Sequence, residues 1–231
     1  VQATLPSAPQ TKPLADLLPP WLEGTTQRIY LMRHGETDYN AQNIVQGGGI
    51  DSVLNSVGHH QSGLFYEAYK KTSFSAVYSS PLQRARQTLQ PFVNVGYALN
   101  IHPGLTEMGW GVMEGLRHNH EIEKHFRATL DEWAHGNLDH SVEGGESPNE
   151  VRDRVCTALT DILTRHSEGN LLICTHGRTL RIFLCFLLGY DLRHMQMFRH
   201  QNTAVNILVR AGRAFYIQKM NDTSHLHPAL S

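Results

Sequence analysis

Two short apolar runs in this chain stop in the same way. "RIYLMRHG" (28–35) and "LLICTHG" (171–177) each carry β-forming residues and then break on a histidine and a glycine. Continuous apolar runs of this length read as strands buried on both faces, the condition of parallel strands covered by helices. Parallel strands bring their C-terminal ends to one edge of the sheet, which is where ligands of open α/β sheets bind. Arg33, His34 and His176 are therefore expected at a common edge, although more than 130 positions separate the two histidines. "AVYSS" (76–80) reads as a third strand, and "TAVNILVR" with "AFYIQKMN" as a late hairpin turning near 211–213.

Helices with readable ends lie between these strands. Ser80-Pro81 followed by Gln83 has the form of a capping box with proline at the first helical position, and Leu82, Ala85, Leu89 and Phe92 then recur at helical spacing. Ser147-Pro148 followed by Glu150 repeats the device before Val151, Val155, Leu159 and Ile162, with Gly169 placed to close the helix. Helix starts at Pro81 and after Gly177 would aim positive dipole ends at the same edge, which favours a phosphate. Gly35 and Gly177 are expected to let the backbone turn tightly there.

Strand followed by capped helix, several times over, predicts an α/β three-layer sandwich with a mostly parallel central sheet flanked by helices. Residues 111–146 break the alternation. They hold Ile122, Phe126, Leu130 and Trp133 on one helical side and read as a small helical cap insertion. Residues 1–26 carry five prolines and little periodicity, so they read as an N-terminal arm packing through Leu17, Leu18, Trp21 and Leu22; residues 27–231 read as one domain.

Composition narrows what the edge can bind. Twenty basic residues against twenty-one acidic ones give a net charge of -1, which lacks the overall footprint of a nucleic-acid or anionic-membrane binder. Any anion site must be local. The longest apolar stretch, "LRIFLCFLLG" (180–189), falls well short of the roughly 20 residues that span a bilayer and reads as a core helix. The first residues lack the charged and apolar blocks of a signal peptide, so a cytoplasmic location is expected. Cys156, Cys174 and Cys185 sit in apolar patterns and read as small buried hydrophobes rather than as a disulfide set or a nucleophile.

A larger ordered set of motifs surrounds the two histidines. "RHGET" (33–37) with Asn40, "QG" (46–47), "SSPLQRARQT" (79–88), "LTEMGWGVMEG" (105–115), "GGES" (144–147) and "THG" (175–177) resemble, in order and spacing, the histidine phosphatase superfamily, branch 1, also called phosphoglycerate-mutase-like. The resemblance implies that His34 is the nucleophile of a phosphomonoesterase acting through phosphohistidine. It also places Arg33, Arg84 and His176 on the phosphoryl oxygens, and Glu107 as proton donor to the leaving alkoxide and then as base for the attacking water. Imidazole is largely unprotonated near neutral pH and can offer a lone pair, provided its other nitrogen has an acceptor such as a carbonyl near Gly35. A planar guanidinium can bind two phosphoryl oxygens at once. Arg86 competes with Arg84 for this role; the family pattern points to the first arginine. Glu107 needs a proton at the moment of attack, which partial burial or the charge of the approaching phosphate would keep on it.

Asn40, Gln46, Gly47 and Gly177 match positions that contact phosphate or substrate in relatives. Two departures stand out. "QGGGIDSVLNSVG" has an extra glycine, and Arg178 stands where relatives more often have a small residue; it either meets a second acidic group on the substrate or pairs with a carboxylate of the cap. No cofactor and no metal are implied. His118 with His120 and His225 with His227 are spaced pairs that read as surface histidines of the cap and tail. Arg117, Lys124, Arg127, His118, His120 and His125 make the cap basic.

The expected partner is a small phosphorylated substrate, with no nucleic acid and no membrane; a homodimer is left open. A cofactor-dependent phosphoglycerate mutase is the runner-up, disfavoured because "EMGWGVMEGL" lacks the tyrosine-containing stretch of such mutases and the insertion is short. A non-catalytic phospho-ligand-binding protein is the alternative of another class; loss of the nucleophile or acid would mark it, and both are present.

Overall fold

The computed structural model describes residues 26–227. In chain order its elements are β1 (Thr26–Arg33), α1 (Asp38–Ala41), α2 (Ser56–Tyr69), β2 (Phe74–Ser79), α3 (Gln83–Asn94) and β3 (Leu99–Ile101). They continue with α4 (His120–Ala134), α5 (Pro148–Arg165), β4 (Asn170–Thr175), α6 (Gly177–Leu187), β5 (Val205–Ala211) and β6 (Ala214–Asp222). The anchoring residues expected of the N-terminal arm lie outside the described residues, and Thr26, counted with that arm, is the first residue of β1.

One six-stranded sheet runs in the order β3-β2-β4-β1-β5-β6. The first four strands are mutually parallel, and the β5–β6 hairpin closes the sheet antiparallel to β1. Alternation along β1 shows why both faces need cover. Ile29 and Leu31 join a core with Val151, Val155, Leu159 and Ile162 of α5 and Leu180 and Phe183 of α6. Tyr30 and Met32 join the opposite core with Phe65 of α2 and Ala85, Leu89 and Phe92 of α3. The result is the three-layer sandwich expected of two-sided apolar strands. Helix α4 buries Trp133 and packs Ile122, Phe126 and Leu130 against the first of these cores, as its helical spacing predicts. Among the described residues no helix is long and apolar enough to cross a membrane.

Three local readings differ from the structure. The capping box at Ser147 forms as expected, with Glu150 reaching back to the Ser147 amide. The one at Ser80 does not: α3 begins at Gln83 after Leu82, and its first amide is capped from another loop, by the Asp51 carboxylate at 2.6 Å. Ser80 is engaged elsewhere, as described below. Helix α5 ends at Arg165, four residues before Gly169, where the Gln27 side chain caps the His166 carbonyl at 3.0 Å; Gly169 instead takes a positive φ of 78° on the way into β4. Cys174 and Cys185 are buried, whereas Cys156 is only half-buried.

Candidate active site

β1 and β4 are adjacent, with Arg33 in register with Thr175, so the residues that follow them are neighbours. The His34 amide donates to the Thr175 carbonyl at 3.0 Å, and the rings of His34 and His176 lie 5.0 Å apart between centroids. Both are buried. His34 Nδ1 lies 2.7 Å from the Gly35 carbonyl oxygen. A carbonyl can only accept, so Nδ1 carries the proton and Nε2 keeps its lone pair. Burial, reinforced by the Arg84 and Arg33 guanidinium groups, holds His34 well below the usual histidine pKa, so the ring is neutral near pH 7.

The glycines serve close approach rather than unusual torsion. Neither Gly35 nor Gly177 has a positive φ. A Cβ on Gly35 would sit 2.7 Å from the Gly58 carbonyl oxygen, and one on Gly177 would sit 3.4 Å from Arg33 Nε, so Gly177 lets the start of α6 lie against that guanidinium.

Arg84, in the first turn of α3, is fully buried, while Arg86 is exposed. Its Nη1 and Nη2 donate to the carbonyls of Ile50 and Gly47 at 2.6 and 3.1 Å, and its Nε donates to His176 Nδ1 at 3.2 Å. His176 Nδ1 is therefore an acceptor, and the proton sits on Nε2, 2.6 Å from Ser80 Oγ. This bond, together with the Leu82 amide at 3.2 Å, takes up the hydroxyl that local sequence assigns to a helix cap. Burial lowers Arg84 to about 10, which leaves it charged at neutral pH, and holds His176 well below its ordinary value, which leaves it neutral.

Glu107 is buried at the N-terminus of α6. Its carboxylate accepts from the amides of Met108, Thr179 and Arg178 at 2.9, 3.0 and 3.2 Å and from Thr179 Oγ1 at 3.1 Å. The positive end of the helix dipole favours a carboxylate there.

Arg33, His34 and Glu107 line a cavity of about 210 Å³, together with Asn40, Gln46, Gly177 and Arg178. Arg84 and His176 do not line it, nor does Gly47, whose carbonyl accepts from Arg84. Asn40 Oδ1 accepts from the Thr37 amide and from Asn202 Nδ2, and Gln46 Nε2 donates to Thr37 Oγ1. Local sequence reasoning passed over Ser80 as a site group, and also Thr179, Arg181, His200 and Asn202. Arg181 carried a signal, since it falls three residues after Arg178 on one helix face. His200 and Asn202 lie in an irregular segment with no period to read.

Arg178 meets the cap through aromatic rings rather than through a carboxylate. No ion pair joins it to a carboxylate of the cap; its guanidinium lies over the rings of Trp133, Trp110 and Phe126, 5.4, 5.5 and 5.7 Å from their centroids. The basic character of the cap is partly cancelled, because Glu123 pairs with both Arg127 and His118; of the cap's basic side chains His118 reaches the cavity wall. His225 is not a surface residue: it is buried with its ring edge-on to Phe65. Among the described residues no group of three His, Cys, Asp or Glu side chains could hold a metal ion.

Known proteins resemble this chain in sequence and in fold. The sequence model of the histidine phosphatase superfamily (branch 1) matches residues 29–223. A metal-independent phosphoserine phosphatase of Arabidopsis thaliana is 31% identical over 209 residues, covering 89% of this chain and 85% of the relative. A Salmonella choleraesuis protein named "Probable phosphoglycerate mutase GpmB" is 29% identical, covering 88% and 97%. Among solved structures, phosphoserine phosphatase of Entamoeba histolytica in complex with 3-phosphoglyceric acid shares the fold, with a TM-score of 0.77 over 87% of this chain and 99% of the other at 23% identity.

Proposed function

Because the chain belongs to branch 1 of the histidine phosphatase superfamily, we propose that it hydrolyses phosphate monoesters of small metabolites through a phosphohistidine formed on His34. The observation that carries the reading is the neutral His34 ring, its Nδ1 proton held by Gly35 and its Nε2 lone pair free, 5.0 Å from His176 and beside the buried Arg84 and half-buried Arg33. The His34 Nε2–P bond forms as the ester P–O bond breaks, and Glu107 gives its proton to the departing alkoxide. Water then attacks phosphorus, Glu107 takes its proton, the N–P bond breaks, and inorganic phosphate leaves.

Arg33 and Arg84 supply fixed positive charge where the phosphoryl group spreads its negative charge. Three N–H groups of Arg84 are already engaged by Ile50, Gly47 and His176, which locks its plane. The His176 Nε2 proton, now given to Ser80, is the donor available to a phosphoryl oxygen.

Mutase activity on the same intermediate needs exclusion of water. The short 111–146 insertion, the lack of a tyrosine-containing stretch after Glu107, and the similarity to a metal-independent phosphoserine phosphatase support hydrolysis over re-delivery. The test is product analysis with 3-phosphoglycerate and phosphoserine. Equal release of phosphate and free alcohol is expected; isomerisation of 3-phosphoglycerate without phosphate release would overturn the proposal.

A further inference from the structure

The cavity and its surroundings hold more positive charge than a phosphate can balance. Arg33, Arg178 and Arg181 line it and Arg84 stands behind His34, yet none of the four forms an ion pair among the described residues. Glu107 is the single carboxylate on the wall. A phosphomonoester dianion, with Glu107 protonated as the first step requires, would leave part of this positive charge without a counter-charge.

The same region concentrates unsatisfied polar atoms. Arg178 Nη1, Arg33 Nε and both ring nitrogens of His200 are buried with no hydrogen-bond partner, and all three residues line this cavity. Buried polar groups are normally paired, so a cluster of orphans facing one cavity points to a ligand that completes them. Arg178 is the most informative of them. Only 9% exposed, its guanidinium is hemmed by Trp110, Phe126 and Trp133. Rings stabilise a cation without using its N–H groups, which stay free for an in-plane acceptor. Arg181, on the same face of α6, is held by Gln196 Oε1 at 2.7 Å and adds a second positive charge.

We propose that Arg178, supported by Arg181 and His200, seats a carboxylate carried by the alcohol half of the substrate, so that the preferred esters are phosphorylated hydroxy or amino acids. The proposal rests on the phosphatase reading above and deepens it. A planar carboxylate supplies negative charge there and matches the fork of the guanidinium. A neutral sugar or alcohol would leave Arg178 buried and unpaired, an arrangement that costs far more than a lost surface contact.

Matched pairs of esters test this on the wild-type protein. O-phosphoserine is compared with phosphoethanolamine, and 3-phosphoglycerate with glycerol 3-phosphate, each pair differing by the carboxylate. p-Nitrophenyl phosphate reports on phosphatase chemistry alone. The expected kcat/KM ratio within each pair is about 100-fold in favour of the carboxylate. In Arg178→Met, which keeps an unbranched side chain among the rings, and independently in Arg181→Gln, the ratio falls, to within about threefold in the first. Turnover of p-nitrophenyl phosphate with wild-type ratios near one would overturn the carboxylate seat and leave the phosphatase reading standing. So would variants that slow both members of each pair equally. No turnover of any ester would overturn the phosphatase reading and this inference with it.

Discussion

The two halves of the cavity are built on opposite plans. On the inner side His34, and His176 and Arg84 next to it but outside the lining, have their polar groups engaged by Gly35, Ser80, Ile50 and Gly47. On the outer side Arg178 and His200 carry unpaired nitrogens, and the nearest shielding is aromatic. The inner wall is pre-organised for a group common to all its substrates. The outer wall is left incomplete, at a cost on the order of 1–3 kcal/mol for each unpaired buried donor. Under the proposed function that difference puts reaction chemistry at the strand ends and substrate choice at the start of α6 and the cap.

Glu107 sits where the halves meet, so its replacement should break the comparison most visibly. Glu107→Gln keeps much of the hydrogen-bonding shape but cannot give a proton, and turnover of alkyl esters should fall by about 10²- to 10⁴-fold. The burst of p-nitrophenol from p-nitrophenyl phosphate, whose leaving group needs no proton, should be slowed far less than phosphorylation by an alkyl ester, while the later water attack is slowed for both. Equal slowing of the phosphorylation step on both substrates would remove Glu107 from the leaving-group step. A smaller effect is expected at the inner wall's cation. Arg84→Ala should lower kcat/KM by about 100-fold, while Arg86→Ala, two residues away and exposed, should stay near wild type. Comparable losses at both positions would mean that burial does not mark the working arginine.

The smallest effect is on stability and comes from keeping histidines neutral in both halves. His34 and His176 are held well below the ordinary histidine value and His200 is lowered to about 3, in each case chiefly by burial. Below about pH 6.5 the unfolded chain takes up protons that these folded-state rings refuse, so stability is full above that pH and falls as pH drops toward the folded-state values. Each ring contributes a slope of up to about 1.4 kcal/mol per pH unit. Denaturation midpoints between pH 7.5 and 5 should show the fall, and His200→Gln should make it shallower. An unchanged slope in that variant would mean that His200 is not held neutral in the folded state.

The inner wall was legible in the sequence because each strand end carries its own signal and parallel topology does the rest. Apolar runs that stop on His34 and His176 predict their meeting without any knowledge of the loops between them. Ser80 shows the limit of local pattern. Its Ser-Pro-x-Gln setting suits a helix cap, but His176 takes its hydroxyl and Asp51 caps α3 from more than 30 residues away. The environment of Arg178 was equally beyond local reading, since Trp110, Phe126 and Trp133 converge on it only when the cap folds back over α6. A periodic apolar face tells that α4 buries Trp133, and leaves open which cation that ring will cover.

The central claim is that imidazole 34 becomes the phosphoryl carrier, and trapping that species tests it most directly. Rapid quenching of the protein with ³²P-labelled phosphoserine or p-nitrophenyl phosphate should give an acid-labile, alkali-stable label that maps to the peptide containing His34. The label should be lost in His34→Ala, which should keep its thermal midpoint. Full turnover with no label on His34, or turnover retained by His34→Ala, would contradict the account.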